Sequence, residues 1–129
     1  MSKDTLSNSL NAIRVAESKG RREVTLAPAS RVVQGLLAIF QQEGYVGEYE
    51  FVDDGKSGQL RVKLLGRINE CGAVRPRSAV KSREYEKWEQ RFLPSRDVGF
   101  LVVSTPQGLM AHRQAKGQNL GGRLIAFCY

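Results

Sequence analysis

The 129 residues carry 20 lysines and arginines against 13 aspartates and glutamates, a formal net charge of +7. That length suits one domain or two small lobes sharing a core, and the basic excess predicts a polyanionic partner. Two cysteines without a CxxC spacing exclude a disulfide framework, and apolar runs far shorter than the roughly 20 residues of a bilayer crossing exclude a spanning helix.

Leu6, Leu10 and Ile13, with Ala16 one turn on, recur at helical spacing behind the candidate caps Ser2 and Asp4, and Gly20 closes this first helix. Lys19, Arg21 and Arg22 cluster at its exit. Val24 and Leu26 then alternate with Glu23 and Thr25 as a short strand stopped by Pro28. Ser30 is suited to cap a second helix, on which Val33, Leu36, Leu37 and Phe40 fall at i, i+3, i+4 and i+7 before Glu43 and Gly44 end it. Tyr45, Tyr49 and Phe51 alternate with Glu48 and Glu50, and Leu60, Val62 and Leu64 alternate with Arg61 and Lys63. DDGKSG between these two strands reads as a hairpin turn, with the acidic strand face set to pair with the basic one.

The polar connector 66–72 marks a boundary, so residues 1–66 are predicted to form an N-terminal α-β-α-β-β lobe and 67–129 a mainly β C-terminal lobe with short helices. The fold class is α/β in the broad sense, α+β in the strict one. Residues 1–66 hold nine basic and eight acidic side chains, residues 67–129 eleven and five, so the anionic contacts are expected mostly in the second lobe. There, residues 74–80 read as a weak strand interrupted by Pro76. Tyr85, Trp88 and Phe92 share one face of a short helix that Ser82 is placed to cap and Pro94 must end. Residues 100–104 are apolar without alternation, as in a central strand covered on both faces. Residues 117–122 loosen the chain before a last strand, 123–129.

The apolar strand runs into a bend that offers the hydroxyls of Ser104 and Thr105, the fixed dihedral of Pro106, the amide of Gln107 and room for close backbone approach at Gly108. A turn that only reverses the chain has the same composition. Arg75 and Arg77 flank Pro76, and a stiff extended segment projects two guanidinium groups at a fixed separation, as phosphate contacts require. Tyr85 and Trp88 could stack on a base, but their helical spacing assigns them to the core.

Enzymatic chemistry is poorly supplied. The single histidine, His112, lacks a visible nucleophile and orienting carboxylate, and Walker A and GxGxxG loops are missing. A metal site from Cys71, Cys128 and His112 needs a fourth ligand, so no cofactor or metal is expected. Both cysteines read as buried small hydrophobes in a reduced, intracellular chain without a cleavable signal segment. The alternatives are a small nucleic-acid-processing enzyme using His112 with an acid such as Asp97, and a free regulator that binds messenger RNA.

The segments DTLSNSLNAI, KGRREV, GYVGEYEFVDD, LLGRINECG, EKWEQRFLPSRDVGFLVVST and NLGGR, in this order and nearly end to end, resemble small-subunit ribosomal protein family eight in its eukaryotic and archaeal form. The resemblance implies a two-lobed, non-catalytic α/β protein that binds small-subunit ribosomal RNA and helps fold its central domain. It implies neighbouring small-subunit ribosomal proteins as partners, no small-molecule substrate and no membrane, and a cytoplasmic site of action with nucleolar passage during assembly. It places Ser104, Thr105, Pro106, Gln107 and Gly108 against the minor-groove side of an irregular RNA helix, with Gly121, Gly122 and Arg123 as the neighbouring Gly-Gly segment. It also turns Asn11, Arg14, Lys19, Arg21 and Arg22 toward RNA. Ala111, Arg113 and Gln114 depart from the acidic and hydroxyl residues usual there, which puts a helix cap in doubt and adds Arg113 as a phosphate contact. Asn8 and Val15 depart from the Asp and Asn often found on the first helix.

Overall fold

A computed structural model describes residues 5–27, 29–53, 55–56, 58–74, 77–95 and 98–129. The candidate caps Ser2 and Asp4, the turn residues Pro28, Asp54 and Ser57, and Arg75, Pro76 and Asp97 lie outside the described residues. The chain divides into two compact units, Met1–Asn69 and Glu70–Tyr129.

In the first unit, α1 (Thr5–Ser18) buries Leu6, Leu10, Ile13 and Ala16, the stripe that the spacing predicts. Gly20, at φ +70, turns the chain out of the helix while its N–H donates to the Glu17 carbonyl and that of Arg21 to Ala16. β1 (Glu23–Leu26) follows. α2 (Arg31–Gln42) starts at Ser30, whose Oγ accepts from the Val33 N–H at 3.2 Å, and buries Val33, Leu36, Leu37 and Phe40. β2 (Val46–Val52) and β3 (Gln59–Leu64) complete an antiparallel sheet of order β1-β3-β2. The Asp53 carboxylate accepts from the Gly55 N–H at 2.9 Å within the hairpin turn. Arg61 reaches Glu50 on β2 and Glu23 on β1, each at 3.3 Å, so the acidic and basic strand faces do pair. All three side chains are about half exposed or more, and such contacts fix register more than they stabilise. Two details depart from the alternating pattern. Tyr45 precedes β2, and Phe51 is 58% exposed, its ring lying over Gly58, where a Cβ would have no room.

The second unit is built on a five-stranded antiparallel sheet. β4 (Cys71–Ala73) and β5 (Ala79–Val80) pair with different ends of β8 (Gly122–Cys128), which pairs in turn with β6 (Phe100–Thr105), and β6 with β7 (Gly108–Ala111). β6 is interior, and Phe100, Leu101, Val102 and Val103 are wholly buried, as an uninterrupted apolar run demands. The single strand expected over residues 74–80 is instead two: pairing begins earlier, at Cys71, and resumes at Ala79 beyond Pro76, a residue with no N–H to give a ladder.

α3 (Tyr85–Phe92) buries Tyr85 and Trp88, and it stops at Leu93, which is extended ahead of Pro94. Ser82 does not cap it: the N-cap is Glu84, without a side-chain bond, while Ser82 sits in a turn closed by the Glu84 N–H on the Lys81 carbonyl. β8 starts at Gly122, one residue before the expected strand. The short helix α4 (His112–Gly117) has Ala111 at its N-cap, a residue with no side-chain acceptor, and no side-chain hydrogen bond caps it.

Candidate nucleic-acid interface

β6 and β7 form a hairpin whose loop is Pro106 and Gln107, with Thr105 paired to Gly108 at its base. Thr105 is 93% buried and its hydroxyl both donates and accepts within the bend: it donates to the Gly108 carbonyl at 2.8 Å and accepts from the Gln107 N–H at 3.1 Å. Its hydroxyl therefore ties the two ends of the bend together. Pro106, Gln107 and Gly108 are exposed, and Ser104 is half-buried on the stem. Gly108 has φ +115, a conformation that favours glycine.

Ser104 stands in register with Arg123 on β8, so an exposed guanidinium flanks the bend. A Cβ on Gly122 would collide with the Ser104 carbonyl oxygen, and one on Gly121 would come within 2.6 Å of the Val80 carbonyl oxygen. The Gly-Gly pair thus lets three strands close around the stem of the bend, and the pair itself offers a ligand only backbone groups. Arg77 is exposed and its carbonyl accepts from Arg123 Nη1 at 3.4 Å, which brings Arg77 into the same flank. Arg75 lies outside the described residues. Arg113 is exposed on α4, beyond the far end of β7, so the four-residue strand holds it roughly 13 Å from the bend.

The first unit holds the other basic candidates. Asn11, Lys19 and Arg21 line an open groove of about 310 Å³ between α1 and β1, floored by Ala12, Val15, Ala16 and Val24. Arg14 donates to the side-chain oxygen of the exposed Asn11 at 2.9 Å. Arg21 also borders a second groove of about 650 Å³ with Arg22, Lys63, Glu17 and Glu23. Lys63 was not among the sequence candidates. Its signal was the alternation of β3, which puts it on the exposed face with Arg61.

His112 is fully buried. Its Nδ1 accepts the Leu101 N–H at 3.0 Å, so the neutral ring carries its proton on Nε2, which stands 2.8 Å from Glu89 Oε1 but off the line of a good hydrogen bond. Burial holds its pKa below the ordinary histidine range, with Arg113 acting the same way and Glu89 opposing. A ring so enclosed has no access to substrate. Trp88 is likewise spent on the core: Phe92 stacks at 6.2 Å, and Arg91 and Lys87 sit over its ring at 5.3 and 5.8 Å. Among the described residues, no three His, Cys, Asp or Glu side chains are grouped to hold a metal ion, and no helix is long and apolar enough to cross a membrane.

These features define a class, small basic α+β proteins whose candidate contacts lie on open surfaces. A family model described as ribosomal protein S8 matches residues 4–129, and the chain belongs to that family. It is accordingly a small-subunit ribosomal protein that binds ribosomal RNA.

Proposed function

We propose that this chain, a member of the eukaryotic and archaeal branch, reads a folded helix of small-subunit ribosomal RNA through the hairpin bend and supports assembly of the RNA's central domain. The observation that carries the reading is the exposed bend Pro106, Gln107 and Gly108, held rigid by Thr105 and flanked by Ser104 and Arg123. RNA is distinguished by its shape, 2′-hydroxyls and disrupted pairs, which short side chains and exposed amides can approach while bulky ones hold the backbone away. Arg77, Arg123 and the Asn11, Arg14, Lys19, Arg21 and Arg22 cluster add phosphate contacts whose strength falls with salt. The role is structural and non-catalytic, exercised on cytoplasmic ribosomes beside neighbouring small-subunit proteins after nucleolar assembly.

The test compares Ser104→Ala and Gln107→Ala on a small-subunit RNA helix with an irregular internal loop and on a regular duplex of equal length. Each change should weaken the first complex by roughly 5- to 10-fold, the worth of about one hydrogen bond, and leave the second nearly unaltered. Equal losses on both RNAs would refute selective reading of the helix by the bend.

A further inference from the structure

Neither cysteine enters the RNA-binding reading, yet the fold sets them directly opposite each other. Cys71 on β4 is the register partner of Cys128 on β8, and both are buried thiols. Glu70 and Tyr129 exchange both backbone hydrogen bonds, at 2.9 and 2.8 Å, so they are a hydrogen-bonded antiparallel pair. Alternation then makes Cys71 and Cys128, one step along, a non-hydrogen-bonded pair. In such a pair the side chains lie on one face of the sheet with Cα atoms about 4.5 Å apart, inside the range a disulfide spans. β4 is only three residues long and lies at the sheet edge, the kind of element that opens locally at low cost and admits a small reagent.

We propose that Cys71 and Cys128 are a dithiol site that a low-molecular-weight disulfide, such as glutathione disulfide, converts to an intramolecular cross-strand disulfide. The Cys71 thiolate attacks one sulfur of the oxidant and releases one glutathione thiolate. The Cys128 thiolate then attacks Cys71 Sγ in the mixed disulfide and releases the second. Two protein thiols are oxidised and one small disulfide is reduced to two thiols, with the two protons passing to the departing glutathiones. In a reducing compartment the pair stays as thiols, and a more oxidising one staples the edge strand to β8. The inference goes beyond RNA binding and does not depend on it.

The full-length native protein is treated with glutathione disulfide, quenched with acid and measured intact, then digested with trypsin without reduction. The expected product is a monomer lighter by about 2 Da, in which peptide 68–77 is joined to peptide 124–129, and reductant restores both thiols. Cys128→Val should give no such loss and stop at a single glutathione adduct. Two separate adducts on the unaltered chain, both thiols alkylated after treatment, or a disulfide-linked dimer would each overturn the proposal. If Cys128→Val fails to fold, the joined peptide in the unaltered chain decides the matter by its presence or absence.

Discussion

His112 is the one histidine of the chain, so proton uptake near pH 6.5 has a single imidazole to report on. Its folded pKa is lowered, chiefly by burial, so below pH 6.5 the unfolded chain binds a proton that the folded chain resists. Stability is then complete above pH 6.5 and declines as the pH falls through the folded pKa, by at most about 1.4 kcal/mol per pH unit for one proton. Urea titrations at stepped pH should show this loss before the carboxylates begin to protonate. A denaturation midpoint that is flat from pH 7 down to the carboxylate range would contradict it. His112→Leu should flatten that limb while lowering stability by roughly 1–3 kcal/mol, because the Leu101 N–H loses its acceptor. None of this was legible in the sequence. The sequence leaves His112 open as a base because the carboxylate beside its Nε2, Glu89, is 23 positions away, and only the tertiary fold brings α3 against the start of α4. Thr105 shows a related limit: a hydroxyl in a turn is equally suited to a ligand and to the turn's own backbone, and only the fold shows that the backbone engages it here.

Elements were more legible where side chains repeat a period or bear a cap. α1, α2 and the β2–β3 hairpin follow from their apolar spacing, the Ser30 cap and the Asp-Gly turn signal. β7 has no signal of its own because Gly108 to Ala111 is too short to alternate, and the helix behind it, α4, is marked by no N-cap residue at Ala111 and rests on the family resemblance alone. Two glycines that look alike in the sequence separate sharply at this scale. Gly117 ends α4 with no atom within 4 Å of a would-be Cβ, whereas a methyl on Gly122 would meet the Ser104 carbonyl oxygen and part β8 from β6. Gly117→Ala should therefore be neutral or stabilise by up to about 1 kcal/mol, through helix propensity and a less flexible unfolded chain. Gly122→Ala should destabilise by roughly 1–3 kcal/mol, because the collision is with backbone and no side chain can swing aside. Thermal melts of the two variants decide the comparison, and equal effects would show that the strands have slack at the stem of the bend.

At the scale of the whole molecule the charge is uneven. The unit Met1–Asn69 holds ten basic and eight acidic residues and Glu70–Tyr129 ten and five, giving +2 and +5. Placing the division after Asn69 instead of Gly66 moves Arg67 into the first unit, where its Nη1 donates to the Gly44 carbonyl at 3.1 Å. The tilt toward the second unit is smaller than the sequence count gave, but it keeps its sign. Net charge alone attracts any polyanion, and only charges at the interface release counterions from specific phosphates. Arg123→Gln and Arg77→Gln should thus each lower the slope of log affinity against log salt by roughly 0.7–0.9, the amount carried by one phosphate contact. Lys56→Gln, a surface change outside both candidate sites that removes the same formal charge, should leave the slope unaltered. Ser104→Ala should weaken binding at every salt concentration with the slope intact, since no ion is released at a neutral hydroxyl. If Arg123→Gln melts normally and keeps the full slope, the guanidinium beside the bend meets no phosphate. If Lys56→Gln shifts the slope as far as Arg123→Gln does, the affinity comes from the overall field of the chain, and the bend loses its claim to a charged flank.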